Sequence, residues 1–391
     1  MLGYLFKDQI ASYHLCSTTR IHADVLFLDP AEEDGDVELV RGYEGCGFSL
    51  GIALKDTFLR KLIAVIGAGI NGLATARELQ RRLLSSVNVT IIADKQTPDT
   101  TSDVAAGLWM PHLVQGKSAG FIKKWGTETF NHIAKLERET SDSGAFMCSG
   151  YEFSDHPPAN NFTHSVYRNY KTLTAKEIAD LGFSDFKYGT FCTTYFLEPS
   201  IYLRKILKEF TEAGGLILQK RLKSVEEIGA NFDLIVNCAG LGSRDLFGDK
   251  EVIPIRGQLI RIKCPSIKHF YCFGDVYHCF PNNDTVVLGG SAIKGDFDLN
   301  IRKDIREKIL KQNEKYLPQI KGAEIVKERA GLRPYRKEVR LELERYTLKS
   351  GSQISIVHNY GHGGSGITLF YGCANSAADL VEKELKTNAK L

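Results

Sequence analysis

Apolar and polar positions alternate with two periods along the chain, and the first sharp pattern lies between residues 61 and 94. The run "LIAVI" is short and apolar enough for a buried strand, and a glycine-rich turn follows it. Leu73, Ala76 and Leu79 then share one face of a helix predicted from about Gly72 to Leu84, and "VTIIAD" closes the unit as a strand ending at Asp94. Phe130, Ile133, Ala134 and Leu136 predict an amphipathic helix between about Trp125 and Arg138. Another helix is predicted from Ser200 to Ala213, between Pro199 and the Gly214-Gly215 pair that can end it. "GLILQKRL" and "FDLIVNCAG" predict strands, the second buried on both faces because its apolar residues do not alternate. Residues 255–290 change character: "GQLIRIK", "HFYCFGDVYHCF" and "TVVLGG" read as short strands of an antiparallel platform. A helix from about Asn300 to Tyr316, stopped by Pro318, precedes a last strand, "ISIVHNYG", and a closing helix from Ile367 to Leu385.

The first turn reads Gly67-Ala68-Gly69-Ile70-Asn71-Gly72, a GxGxxG spacing after a buried strand and at the opening of a helix. Gly67 permits a tight turn, Gly69 lets the backbone approach a pyrophosphate, and Gly72 lets helix and strand pack closely. Unpaired N–H groups at the helix start then meet the phosphate charge. Asp94 is placed to accept hydrogen bonds from a ribose 2′-OH. Strand, turn, helix, strand and acid in this order predict a dinucleotide without deciding between NAD and FAD. Residues 100–113, "TTSDVAAGLWMPHL", tilt the choice toward an extended FAD, with Thr101 and Ser102 offering hydroxyls to phosphate. Ser102 or Asp103 equally suits the cap of a following helical segment. The glycine-rich turn "HNYGHGGSGIT", His358 to Thr368, and the strand near residue 235 repeat the pattern. One α/β sheet assembled from three separated segments is the expected architecture.

Length and charge narrow the function classes. At 391 residues the chain exceeds one ordinary domain, so two domains, possibly interleaved, are expected. Its 50 basic and 47 acidic residues leave a net charge of +3, too small for a phosphate-tracking nucleic-acid surface. No apolar run approaches the ~20 residues needed to cross a bilayer. The first residues carry Asp8 and no signal-peptide core, which predicts a place inside the cell. Nine scattered cysteines without CxxC pairs point to reduced, packed thiols and no metal site. Residues 1–60 mix an acidic run with glycines and read as an extension of unknown role. The final Ala389-Lys390-Leu391 differs from the peroxisomal address SKL by one small residue.

The stretches "TSDVAAGLWMPH", "VNCAGLGSRDLFGD", "RGQLIRIK", "ERAGLRPYR" and "HNYGHGGSGIT" resemble, in that order, the D-amino-acid oxidase family. "GLGSRDLFGD", "GLRPYR" and the His112 of "PH" point to its D-aspartate oxidases. The resemblance runs from about Lys61 onward. It implies an FAD-binding Rossmann-like domain, residues 61–115, 200–255 and 350–391, interleaved with a substrate domain on a mostly antiparallel sheet, residues 116–199 and 256–349. It assigns to FAD the residues Gly67, Gly69, Asn71, Gly72, Asp94, Lys95, Thr101, Ser102, Gly107, Leu108, Gly363, Gly366, Ile367 and Thr368. It implies that the turn at Gly361 to Thr368 lies beside the flavin ring, Gly364 included. The bare backbone there lets N–H groups approach the ring, and the next helix points its positive end at the pyrimidine oxygen. Arg333 of "GLRPYR" is implied to grip the substrate α-carboxylate with its guanidinium fork, while Arg336 and Arg340 are structural or cofactor-adjacent. The implied reaction passes hydride from Cα to the flavin; the imino acid hydrolyses to a 2-oxo acid and ammonia, and O₂ is reduced to H₂O₂.

Three departures bear on the substrate. Where the family usually keeps a substrate-facing tyrosine, this chain has His278, with Tyr277 one residue away and so on the opposite face of a regular strand. Two arginines that would hold a second carboxylate are replaced by Cys272 and Ala292, which leaves His112, His278 or Lys294 for that task. Acidic D-amino acids, D-aspartate and D-glutamate, are the expected substrates; neutral or basic D-amino acids, or FAD binding with little turnover, are the alternatives. Because many members of the family are peroxisomal, the Ala389-Lys390-Leu391 ending predicts that location and an import receptor as partner.

Overall fold

A computed structural model describes residues 60–114, 119–158 and 162–388. The expected extension, apart from Arg60, and the Ala389-Lys390-Leu391 ending lie outside the described residues. In chain order the strands are β1 (Lys61–Ile66), β2 (Val87–Ala93), β3 (Ala145–Ser154), β4 (Arg168–Thr172) and β5 (Tyr188–Leu197). Then come β6 (Leu216–Gln219), β7 (Leu234–Asn237), β8 (Ile253–Ile262), β9 (Phe270–Phe273) and β10 (Tyr277–Pro281). β11 (Val286–Gly289), β12 (Ile293–Lys294), β13 (Ile325–Thr347) and β14 (Gln353–His362) complete the set among the described residues.

All of them belong to one hydrogen-bonded sheet in the order β4-β5-β3-β9-β10-β11-β8-β13-β14-β7-β1-β2-β6, with β12 paired to β8. β14, β7, β1, β2 and β6 run parallel, drawn from the three separated segments. The other end is antiparallel except for the parallel pair β3 and β9. β13 joins the two ends. Its first half, to Tyr335, pairs with β8; its second half, from Arg340, pairs with β14, and the register is broken between Tyr335 and Arg340. Arg333 therefore sits just before the point where the chain leaves one end of the sheet for the other.

The helix predicted after β1 spans Ile70–Leu83, and Leu73, Ala76 and Leu79, which carried its apolar face, are fully buried. With helices Ala119–Glu139, Pro199–Glu212 and Gly366–Asn388 it covers one face of the sheet, where the largest apolar cluster lies. Helix Lys303–Tyr316 buries Ile305 and Ile309 with Phe153, Phe273 and Cys279 in a second cluster. No described helix is long and apolar enough to cross a membrane.

Candidate active site

The turn after β1 is shaped by contacts that only glycine allows. Gly67 has φ +103°, and a Cβ there would lie 2.6 Å from the Cys238 carbonyl oxygen. A Cβ at Gly72 would stand 1.9 Å from the Gly67 carbonyl oxygen, so glycine is what lets the helix start against the strand. Past this turn runs a cleft of about 840 Å³, near the upper end of the size range of ligand pockets. Gly67, Gly69, Asn71, Asp94, Lys95, Thr101, Ser102, Arg333, Gly363, Gly364, Gly366 and Ile367 line it. Buried polar atoms along its walls, among them Asn71 Oδ1, Asn359 Oδ1 and His362 Nε2, have no hydrogen-bond partner among the described residues. Such atoms are costly unless something fills the cleft and pairs with them.

At the far end of the cleft, Arg333 reaches back over β8, where a Cβ on Gly257 would lie 2.3 Å from Nη1. Its Nη1 donates to the Ser291 carbonyl oxygen at 3.2 Å, and no carboxylate pairs with it among the described residues. Burial lowers its pKa for that reason. Arg336 and Arg340 differ: the first is paired with Asp249 at 2.9 Å and the second with Glu342 and Glu344 at 2.7 Å each. The His112 ring packs on Gly364, where a Cβ would lie 2.6 Å from Cδ2. Burial and the Arg333 charge lower the pKa of His112 to about 4. His278 covers Gly289, where a Cβ would be 2.0 Å from its ring, and burial lowers its pKa to about 3. Both imidazoles are neutral near pH 7.

Residues 63–380 match the DAO family model, described as FAD dependent oxidoreductase. The chain belongs to this family. D-aspartate oxidase of Homo sapiens is 37% identical over 326 residues, covering 82% of this chain and 94% of the human protein. A D-amino acid oxidase of Dugesia ryukyuensis is 36% identical over 335 residues, covering 84% and 99%. Among solved structures, glycine oxidase from Bacillus cereus ATCC 14579 has a TM-score of 0.67 at 18% identity, covering 83% of this chain and 96% of that one. An L-α-glycerophosphate oxidase from Mycoplasma pneumoniae with FAD bound has a TM-score of 0.62 at 15% identity, covering 83% and 95%. These two likenesses concern the fold.

FAD is the cofactor of this DAO-family chain, and the cleft fits it: glycine backbone at the turn, N–H groups at a helix start, and unpartnered polar atoms along the walls. Ser102 does two things here. Its Oγ accepts from Ile70 N at 3.1 Å at the start of the helix, which leaves its O–H to donate into the cleft. Other expected residues stand elsewhere. Gly107 and Leu108 do not line the cleft; a Cβ on Gly107 would lie 2.4 Å from the Leu197 carbonyl oxygen, and Leu108 bridges Phe196 in the core. Thr368 is buried, and its hydroxyl donates to the Met110 carbonyl at 2.8 Å and accepts from Met110 N at 3.3 Å. Gly72 acts one layer back, in the packing of the turn. Tyr277 packs beside Gly290 and joins the apolar cluster under helix Lys303–Tyr316, so it is His278 that shares the face of Arg333. Lys294 is exposed, with Nζ 6.0 Å from the Tyr335 ring.

The cleft also contains Cys238, Ala239, Gly240, Asn359 and His362, which sequence reasoning did not name as site residues although they lie inside the motifs it quoted. Glu152 on β3 was missed altogether. Its one sequence signal is an acid between the aromatic residues Tyr151 and Phe153 of a strand.

Proposed function

We propose that the chain oxidises D-amino acids, producing a 2-oxo acid and ammonia from the substrate and H₂O₂ from O₂. The reading rests on one observation above the others: a half-buried guanidinium lining the cofactor cleft that no carboxylate pairs with among the described residues. An amino acid α-carboxylate supplies the missing partner through two parallel hydrogen bonds, which fix the direction of Cα as well as its place. Gly363 and Gly364 let this turn close against His112 and Leu113: a Cβ on Gly363 would lie 2.2 Å from the Leu113 carbonyl oxygen. His112 and His278, neutral, bound the site without competing with Arg333 for the carboxylate. FAD, held in this cleft, would supply the two-electron redox chemistry between the substrate Cα–H and O₂. Water then adds to the imino acid, which releases ammonia. The protein needs no strong acid or base for this, only a substrate amine that is neutral when the C–H bond breaks.

For the side chain, likeness to D-aspartate oxidase favours an acidic substrate. The residues left to bind a second carboxylate favour it less, because His112 and His278 carry no charge and Lys294 is exposed. Purified protein that absorbs near about 450 nm establishes bound flavin. Peroxide release with D-Asp, D-Glu, D-Ala and D-Arg, but not with their L enantiomers, is the expected result. A yellow protein that oxidises none of them would replace this reading with FAD binding without turnover.

A further inference from the structure

Glu152 lies on the same face of the sheet as the substrate site. It pairs across the strands with Thr190 on β5 and with Cys272 on β9; Cys272 pairs with His278, and His278 with Gly289. Directly paired residues of neighbouring strands project to one side, so Glu152, Cys272 and His278 form a row. The row ends where the His278 ring covers Gly289 and the Arg333 guanidinium covers Gly257. From Gly289 to Glu152 there are three strand spacings, about 14 Å. Counted from the strand under the His278 ring, that is the order of distance which the α-carboxylate, a linear side chain of four or five atoms and one further hydrogen bond span together, with the Arg333 guanidinium one strand beyond, over Gly257.

Glu152 borders a cavity of about 140 Å³ whose walls include Met110, Pro111, Tyr167, Tyr170 and Thr190. Pro111 directly precedes His112, whose ring packs on Gly364 of the cofactor cleft, so one short segment borders both cavities. Among the described residues the carboxyl has no ion pair and no hydrogen bond, although Tyr167, Tyr170, Thr163, Thr190 and His164 share the cavity with it, and burial raises its pKa to about 7. The arginine and the acid are thus complementary orphans at two ends of one face.

We propose that Glu152 recognises the substrate side chain and selects D-amino acids with a terminal cation, the D-lysine, D-ornithine and D-arginine class. This rests on D-amino acid oxidation as the reaction. Arg333 holds the α-carboxylate, the aliphatic stem passes along Cys272 and His278, and the terminal ammonium or guanidinium meets a carboxylate flanked by two tyrosines, a combination suited to organic cations. A second carboxylate placed there would meet like charge in a poorly solvated space and no cation to offset it. Binding of the cation also draws Glu152 fully into its ionised form, as an opposite charge does for any buried acid.

The test uses the full chain loaded with FAD and a peroxide assay over D-Lys, D-Arg, D-Ala, D-Met, D-Asp and D-Glu. The wild type is expected to show a kcat/KM for D-Lys or D-Arg at least roughly 10-fold above that for D-Asp or D-Glu. In Glu152→Gln, checked for retained flavin absorbance, the ratio of kcat/KM for D-Lys or D-Arg to that for D-Met is expected to fall roughly 10- to 100-fold, mainly through KM. If D-Asp or neutral substrates are oxidised well and the cationic ones are not, or if the Gln variant keeps the wild-type ratio, the assignment of Glu152 is overturned while D-amino acid oxidation stands. If the FAD-loaded protein oxidises no D-amino acid, both are overturned. The wild-type comparison decides the substrate class even if the variant fails to fold.

Discussion

A guanidinium held inside protein without an anion costs stability, and chains keep such a group when a ligand is to complete it. Arg333 and Arg336, three residues apart on one strand, separate the two uses of arginine. Arg333→Ala is expected to lower kcat/KM by at least roughly 100-fold with every substrate, while flavin stays bound and thermal stability holds or rises. Arg333→Lys keeps the charge and loses the fork, so it should recover only part of the activity. Arg336→Ala should do the reverse and cost about 1–3 kcal/mol in denaturant unfolding, because it strands Asp249, which accepts from Arg336 Nε at 2.9 Å and from Tyr360 Oη at 2.6 Å. Unchanged turnover in Arg333→Ala would refute its role. At this scale the sequence was informative where a motif surrounded the residue, as in "GLRPYR", and silent for Glu152, because an acid on a strand is usually solvated and only its neighbours across β5 and β9 show that this one is not.

Among elements, the contact between β1 and the following helix is the tightest at the site. Gly72→Ala would drive a methyl into the backbone of Gly67, which cannot rotate away as a side chain can. We expect it to cost more than about 2 kcal/mol and to weaken FAD retention, read as flavin released on gel filtration. The start of helix Gly366–Asn388 holds the Met110–His112 segment through two hydroxyls. Ser365 Oγ accepts from His112 N at 2.8 Å and donates to its carbonyl at 2.9 Å, and Thr368 Oγ1 does the same for Met110. Thr368→Val, nearly isosteric, leaves both Met110 groups unpaired and is expected to cost about 1–3 kcal/mol. The helices and short strands with strong apolar periods were legible within a few residues. β3, β5 and β13 were not anticipated. β13 reads as a strand only in its second half, where Val339, Leu341 and Leu343 alternate with charge; in its first half Gly331, Pro334 and several arginines hide the period, and pairing with β8 supplies what local preference does not.

Over the whole molecule, the buried histidines set the response to acid. His112, His132, His358 and His362 are lowered by burial to about 4 and His278 to about 3, from 6.5. Between the unfolded and folded values the unfolded chain binds more protons, so stability present above pH 6.5 is lost as pH falls toward about 4. Glu152 opposes them: raised by burial to about 7 from 4.5, it favours the folded state more as pH falls through that window. Five imidazoles against one carboxyl predict a thermal midpoint at least about 3 °C lower near pH 5 than near pH 7. A flat profile would contradict the burial of these imidazoles.

The sequence by itself determined the glycine turns, the helices with one apolar face and the α/β class. These follow from local backbone geometry and from periods that a linear chain records directly. Only the tertiary structure decided that His278 and not Tyr277 shares the face of Arg333, that Gly107, Leu108 and Thr368 brace the core, and that Glu152 has no ion-pair partner among the described residues. Those facts depend on strand pairing between residues far apart in the chain, as between Glu152 and Cys272, and pairing over such distances is selected by packing of the whole sheet and not by any one segment.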